Sequence, residues 1–321
     1  MAGTPQRCGI CSGALVLRYP GSGGPPTAAD LSPTCHATGA HGDLYACTRC
    51  GTVQQPVLPS GAELVDLYRA MRDDAYLTEE PGRRATGRRL VELVGAHGRR
   101  GRMLEVGCGH GLLLDEARAL GWEVRGLEPA DAGRAHAVET LGLDVRDATL
   151  GDLDPARDGD LDAIVLVDVI EHLDDPVGAV RRCRDLLAPD GVLLVVTPDP
   201  SSVTARVAGS RWWGYLPAHT YLLPRRRLRS LIEETGFALE ADIGLKRTFT
   251  LGYWLGGLSE RSPALGRLLG RRGGGRALAR PVTFSLGDER VVLARRAVSV
   301  PAAGRAGVAG RAAGAPAGAT P

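Results

Sequence analysis

The chain has 321 residues, 44% of them apolar, which is enough to bury a sizeable core and to hold one large domain with a smaller one. A formal charge of +2 excludes the strongly basic balance of a general nucleic-acid binder and provides no acidic tail, so partners have to be argued from sites. The start "MAGTPQRCGI" has no basic segment leading into an apolar one, and no run of about 18 apolar residues follows anywhere, so a cytoplasmic protein is expected. Seven cysteines, an odd number, then argue against a disulfide framework and for metal binding.

Four of the cysteines form two pairs, "CGIC" (Cys8, Cys11) and "CTRC" (Cys47, Cys50), each followed closely by a glycine, Gly13 or Gly51. Both thiolates of a Cys-x-x-Cys turn reach one tetrahedral Zn2+, and the small residue lets backbone N–H groups face the sulfurs. The pairs are 35 residues apart, longer than the usual ribbon spacing of about 15 to 20, but "YPGSGGPPTAADLSP" reads as a loop. Cys35, His36 and His41 lie inside it and offer replacement ligands. A zinc-ribbon module over residues 1–58 is expected.

Over residues 59–100 apolar residues recur three and four apart in "ELVDLYRAM" and "TGRRLVELVGAHG", the spacing of connecting amphipathic helices. Arg83, Arg84, Arg88, Arg89, Arg99, Arg100 and Arg102 read as a solvated polar face rather than a nucleic-acid patch.

From residue 101 to 298 short apolar runs alternate with helical stretches. "RMLEVG", "EVRGLEP", "LDVRD", "DAIVLVD", "GVLLVVTP", "ALEADIG" and "ERVVLARRA" read as strands. Between them "GLLLDEARALG", "DAGRAHAVETLG", "PVGAVRRCRDLLAPDG" and "RRRLRSLIEETGF" read as helices, which gives an α/β fold with a doubly wound, mostly parallel sheet of seven strands. The Ala/Gly/Pro-rich residues 299–321 show no periodicity and read as a disordered tail.

"LEVGCGHG" lies where the first strand of this sheet meets its first helix, the place where such sheets bind ligands. It is not the dinucleotide fingerprint, because Gly107, Gly109 and Gly111 alternate and Leu112 stands where the third fingerprint glycine belongs. It is not a phosphate loop either, since no Gly-Lys-Ser/Thr follows. Glu105 just before the glycines would repel a pyrophosphate but suits a ligand carrying an ammonium group. Glu128 at the end of the second strand can accept hydrogen bonds from two ribose hydroxyls.

Ribose, ammonium and no phosphate together describe S-adenosylmethionine. At these residues the sequence resembles the class I S-adenosylmethionine-dependent methyltransferases, especially the group of the ubiquinone-biosynthesis O-methyltransferases and many glycan and natural-product methyltransferases. The resemblance covers about residues 100 to 240, with "LEVGCGHG", "GLEP", "RDATL", "DAIVLVDVIEHLDDP", "LLAPDGVLLVVTPDPSS" and "HTYLLPRRRLRSLIEETGF" in the family's order. It implies that Glu105, Gly107 and Gly109 surround the methionine part of the donor, with Gly111 counted among the same positions. It also implies that Glu128 holds the ribose, that Asp147 and Ala148 contact the adenine, and that Asp168 stands near the sulfonium.

Methyl transfer is an in-line displacement in which positioning does most of the work, but a hydroxyl acceptor must still lose its proton. His172, in "DVIEHLDDP", and His219, in "RWWGYLPAHTYLLP", are the candidate bases. His172 also reads as a loop-ordering residue, and His219 as part of a lid. Asp168, Glu171 and His172 would share a helix face and could ligate a divalent metal. Trp212, Trp213 and Tyr215 are candidates for stacking on the acceptor or for packing beneath a cover.

The expected function is methyl transfer to a hydroxyl of a small molecule: a sugar, a glycan precursor or a secondary metabolite. The alternatives are an RNA or protein methyltransferase that grips its polymer through the ribbon, and a non-catalytic zinc-ribbon adaptor. Residues 1–58 carry three arginines against two aspartates, a net of +1, which is weak for phosphate binding.

Overall fold

A computed structural model describes residues 7–21, 26–32, 34, 41–55, 62–73, 75–261 and 277–297. The expected tail at 299–321 and the spare ligands Cys35 and His36 lie outside the described residues.

Strands β1 (Leu15–Tyr19), β2 (Leu44–Cys47) and β3 (Val53–Gln54) make an antiparallel unit. The first cysteine turn leads into β1 and the second joins β2 to β3. Helices α1 (Ala62–Ala70) and α2 (Glu80–His97) follow. The second starts well before the expected Thr86, because Pro81 in the first turn has no N–H to leave unpaired there.

The main body then alternates strictly. It runs β4 (Arg102–Val106), α3 (Leu112–Ala119), β5 (Glu123–Leu127), α4 (Asp131–Ala135, continued by a π turn), β6 (Val145–Arg146), α5 (Pro155–Asp158), β7 (Leu161–Val167), α6 (Pro176–Leu186) and β8 (Leu187–Pro198). After α7 (Val203–Ala208) and β9 (Tyr221–Leu222) come α8 (Arg225–Glu234), β10 (Phe237–Gly244), β11 (Arg247–Thr250), α9 (Leu251–Arg261), β12 (Pro281–Phe284) and β13 (Glu289–Arg296). Residues 187–190, expected to end a helix, belong to β8, because Leu187 is already extended and pairs with Leu161.

Seven strands form the central sheet in the order β10-β13-β8-β7-β4-β5-β6, and β13 alone runs against the rest. The chain winds outward from β4 through β5 to β6 and then returns to β7. The order therefore reverses beside β4, where a crevice opens at the carboxyl ends of the strands. Both faces of the central strands β4, β7 and β8 are buried along most of their length, as a sheet covered on two sides requires. Leu104, Ile164, Leu166, Leu193 and Val195 point into one core with α6 and α8, while Met103, Ala163, Val165, Leu194 and Val196 point into the other with α2.

Two arrangements lie beyond local pattern. β9 comes from the middle of the chain yet completes the ribbon's sheet in the order β1-β2-β3-β9. β11 and β12, with α9 between them in the chain, pair as a separate two-stranded antiparallel sheet beside α2. The arginines of α2 and its C-terminal flank are largely tied down rather than free: Arg84 meets Glu80, Asp115 and Glu116, Arg88 meets Glu92 and Glu116, and Arg99 meets Asp162. Among the described residues no helix is long and apolar enough to cross a membrane.

Candidate active site

A cavity of about 1200 Å³ opens at the strand-order reversal, large enough for a nucleoside-sized ligand and a second molecule beside it. Its floor is the loop after β4. Gly107, Gly109 and Gly111 have φ of +66°, +53° and +79°, the left-handed region that side-chain-bearing residues avoid, which explains why the glycines alternate. A Cβ on Gly109 would meet nothing within 4 Å and would project into open space. Gly111 does not line the cavity: a Cβ there would strike Ala137 and Leu143. Its part is to start α3 and let the π turn pack close.

Two carboxylates stand behind this loop, both buried. Glu105 has one oxygen, Oε2, with no hydrogen-bond partner among the described residues. Burial, and then the neighbouring charge of Glu128, push its pKa well above the usual carboxylate range. Glu128 accepts hydrogen bonds from the backbone N–H of Gly109 at 2.6 Å and of Ala130 at 2.7 Å, one on each oxygen. A carboxylate offers about four lone-pair positions, so one on each oxygen is left for a ligand. Burial raises its pKa against the pull of those two amides. The residue thus fastens the glycine loop as well as facing the cavity, a structural duty that its position in the sequence did not disclose.

Ala148 lines the cavity, but Asp147 does not; its half-exposed carboxylate lies between Arg69 and Arg134, 3.5 and 3.8 Å away. Asp168, the residue after β7, has φ +55°, a strained backbone for a residue with a side chain. Both of its oxygens receive Arg247 Nη2, at 2.8 and 2.6 Å, and the same guanidinium also binds Glu289. Asp168 therefore faces the cavity as part of an ion-paired cluster, and it does not share a helix face with Glu171 and His172, which follow on a single tight turn. Arg247, from a strand that local pattern did not reveal, is the site residue most clearly missed.

The two histidines meet across the cavity wall with ring centroids 4.7 Å apart. Nδ1 of His219 donates to the Gly214 carbonyl at 2.7 Å and Nδ1 of His172 to the Ala218 carbonyl at 3.1 Å. A carbonyl only accepts, so each Nδ1 carries the proton and each Nε2 keeps its lone pair. Burial lowers the His219 pKa, and burial and the nearby His219 lower that of His172 to about 3. Both rings are therefore neutral at pH 7. The Glu171 carboxylate joins them: its ligand oxygen and one nitrogen of each ring lie within 4.8 Å of one another. Glu171 Oε2 accepts from Thr197 Oγ1 at 2.9 Å, while Oε1 is buried with no partner among the described residues.

On the far side the wall turns apolar and aromatic, with Phe249, Tyr253, Trp254, Phe284 and Leu286. Of the expected stacking residues only Trp213 reaches the cavity; Trp212 and Tyr215 are buried in the core beneath it, and both indole N–H groups donate to Asp288. Cys108 packs against Leu114, Ala137 and Leu143.

In the ribbon, Cys8, Cys11, Cys47 and Cys50 bring their sulfurs within 4.8 Å of one another, with 3.8 Å from Cys8 to Cys50 and 3.5 Å from Cys11 to Cys47. Four sulfurs about 2.3 Å from one tetrahedral ion would be about 3.8 Å apart, so the set fits zinc. Backbone N–H groups of Ile10, Arg49 and Cys50 point at the sulfurs, as the knuckle pattern implies. His41 is not a fifth candidate: its ring nitrogens face the carbonyl oxygens of Gly42 and Ser210.

A family model described as a methyltransferase domain matches residues 78–242, just over half of the 321 residues. The chain belongs to the class I methyltransferase family. A ubiquinone biosynthesis O-methyltransferase of Cereibacter sphaeroides is 34% identical over 128 residues, 37% of this family member and 51% of the relative. One from Xanthomonas euvesicatoria is 29% identical over 167 residues, 48% and 68% of the two chains. This family member thus spans about half the length of several of the curated relatives it matches. Among solved structures, N-methyltransferase NodS from Bradyrhizobium japonicum is 14% identical, with a TM-score of 0.46 over 73% of this chain and 97% of its own.

Proposed function

We propose that the chain transfers a methyl group from S-adenosylmethionine to a hydroxyl of a small molecule with an apolar, ring-bearing body. The observation that carries this reading is the pairing of Glu105, a buried carboxylate whose Oε2 has no partner among the described residues, with a half-satisfied one, Glu128, around a glycine loop open to a large cavity. In this reading Glu105, Gly107 and Gly109 hold the methionine part of the donor and Glu128 its ribose. Ala148 borders the adenine. Asp168 lies beside the reacting end, and its salt bridge to Arg247 offsets a negative charge there. The donor supplies an electrophilic methyl on a sulfonium.

His219 serves as the base. Its Nε2 takes the proton of the acceptor hydroxyl as the oxygen attacks, the new O–CH3 bond replaces the S–CH3 bond, and the proton leaves to solvent. The aromatic wall favours an apolar secondary metabolite over a bare sugar, and the relatives named as O-methyltransferases favour oxygen as the acceptor atom. The four ribbon cysteines hold a structural zinc.

The test is label transfer from methyl-labelled S-adenosylmethionine into the small-molecule fraction of a host-cell extract. His219→Ala should leave binding of S-adenosylhomocysteine nearly unchanged and slow transfer by about 10²- to 10⁴-fold, with partial recovery as pH rises. Full activity in that variant would remove His219 from the mechanism. One observation favours a second reading: Glu171, His172 and His219 each bring one ligand atom within 4.8 Å of the others, the set for a divalent cation that would polarise the acceptor oxygen. Transfer would then depend on added Mg2+ or Mn2+, and higher pH would not rescue His219→Ala.

A further inference from the structure

The segment that carries His219 is irregular, and a base on a loop needs external supports to hold its geometry. Those supports come from the ribbon. Gln55, buried just beyond β3, donates through Nε2 to the carbonyls of Leu216 at 2.6 Å and His219 at 2.8 Å. Its backbone N–H donates to Thr220 O at 3.0 Å, and its Oε1 accepts from Gly42 N at 2.8 Å. Both amide hydrogens of the side chain are thus spent on the turn that presents His219.

The adjoining residues extend the grip. Val53 pairs with Leu222 and Gln54 with Tyr221, and a Cβ on Gly9 in the first cysteine turn would lie 2.3 Å from the Tyr221 hydroxyl. Leu44, Val53, Trp212, Tyr215 and Leu222 close a shared apolar core beneath. From the opposite side Thr220 N donates to Glu171 O at 2.8 Å, so the His219 turn is held between the ribbon and the turn after β7.

We propose that Gln55 is a positioning residue for His219, and that the cysteine module is a fixed support behind the turn that presents it. The inference rests on the reading of His219 as the base. It assigns the ribbon a place in small-molecule chemistry, where the sequence had suggested a grip on a polymer as its alternative use.

The experiment is a double-mutant cycle between Gln55→Met, which keeps the volume and removes the hydrogen bonds, and His219→Ala. Label transfer into host extract, calorimetry with S-adenosylhomocysteine and amide hydrogen exchange are measured on the full chain. A base displaced by about 1 Å costs on the order of 10²-fold, so Gln55→Met should slow transfer by about 10- to 100-fold while the affinity for S-adenosylhomocysteine changes less than about twofold. The amides of His219 and Thr220 should exchange faster and those of the glycine loop should not.

In the His219→Ala background the same change should slow transfer no further, because the group it positions is gone. Unchanged transfer in Gln55→Met, or an equal slowing in both backgrounds, would overturn the inference. Full activity of His219→Ala would instead overturn the reading beneath it. If Gln55→Met fails to bind S-adenosylhomocysteine, Gln55→Glu decides the question: its carboxyl donates only when protonated, so transfer relative to the unmodified protein should rise as pH falls, and a flat ratio would count against positioning.

Discussion

Replacing Glu128 by alanine separates its two duties, one toward the donor and one toward the glycine loop. The carboxylate spends one lone pair of each oxygen on the Gly109 and Ala130 amides, at 2.6 and 2.7 Å, and keeps one of each for the ribose. A hydrogen bond to a charged group is worth about 1.5 to 3 kcal/mol, so losing the ribose contact should raise the dissociation constant for S-adenosylhomocysteine by about 10- to 100-fold. The alanine also leaves two amides without their acceptor, at a cost of about 1 to 3 kcal/mol for each one that water does not reach. At about 2 to 4 °C per kcal/mol for a domain of this size, the ligand-free protein should melt several degrees lower. Isothermal calorimetry and differential scanning calorimetry measure the two effects separately. An unchanged affinity would mean that the ribose is held elsewhere. An unchanged melting temperature would mean that the two backbone contacts carry no net stability.

Gly109→Arg should abolish donor binding, because it forces a side chain into left-handed backbone and fills open cavity space; binding by S-adenosylhomocysteine at unmodified strength would refute the donor placement. Glu105 has a folded pKa raised by burial and by Glu128, and a cationic ligand binds its deprotonated form. Affinity for S-adenosylmethionine should therefore rise with pH by up to about tenfold per unit below that raised pKa, with protons released on binding. Calorimetry in buffers of different ionisation enthalpy should show the release in the native protein and its loss in Glu105→Gln. The purified protein should carry about one zinc. Cys47→Ser should lose it, keep S-adenosylhomocysteine affinity within a few-fold, and speed amide exchange in both the ribbon and residues 219–222; metal-free native protein, or exchange confined to the ribbon, would contradict the arrangement.

The sequence by itself determined most of the features whose cause is local, element boundaries such as the start of α2 and the end of α6 aside. Alternating apolar runs made both faces of β7 and β8 buried and so implied a covered parallel sheet. Glycines at 107, 109 and 111 encoded a loop whose backbone only glycine adopts without strain, and two Cys-x-x-Cys turns encoded paired sulfurs. Each of these needs only a few consecutive residues. The rest depends on groups that are distant along the chain. Arg247 lies 79 residues from Asp168, and Gln55 lies 164 from His219, so no periodicity or spacing could join them. Gly111 and Asp147 were legible as members of a motif, but which way each side chain position faced depended on what packed against it: Ala137 and Leu143 in one case, Arg69 and Arg134 in the other. The ribbon was visible as a metal-binding pattern. That it shares a sheet with the histidine segment was decided only in three dimensions, because a strand's edge takes whichever partner the fold brings to its free N–H and C=O groups, and here that partner is β9.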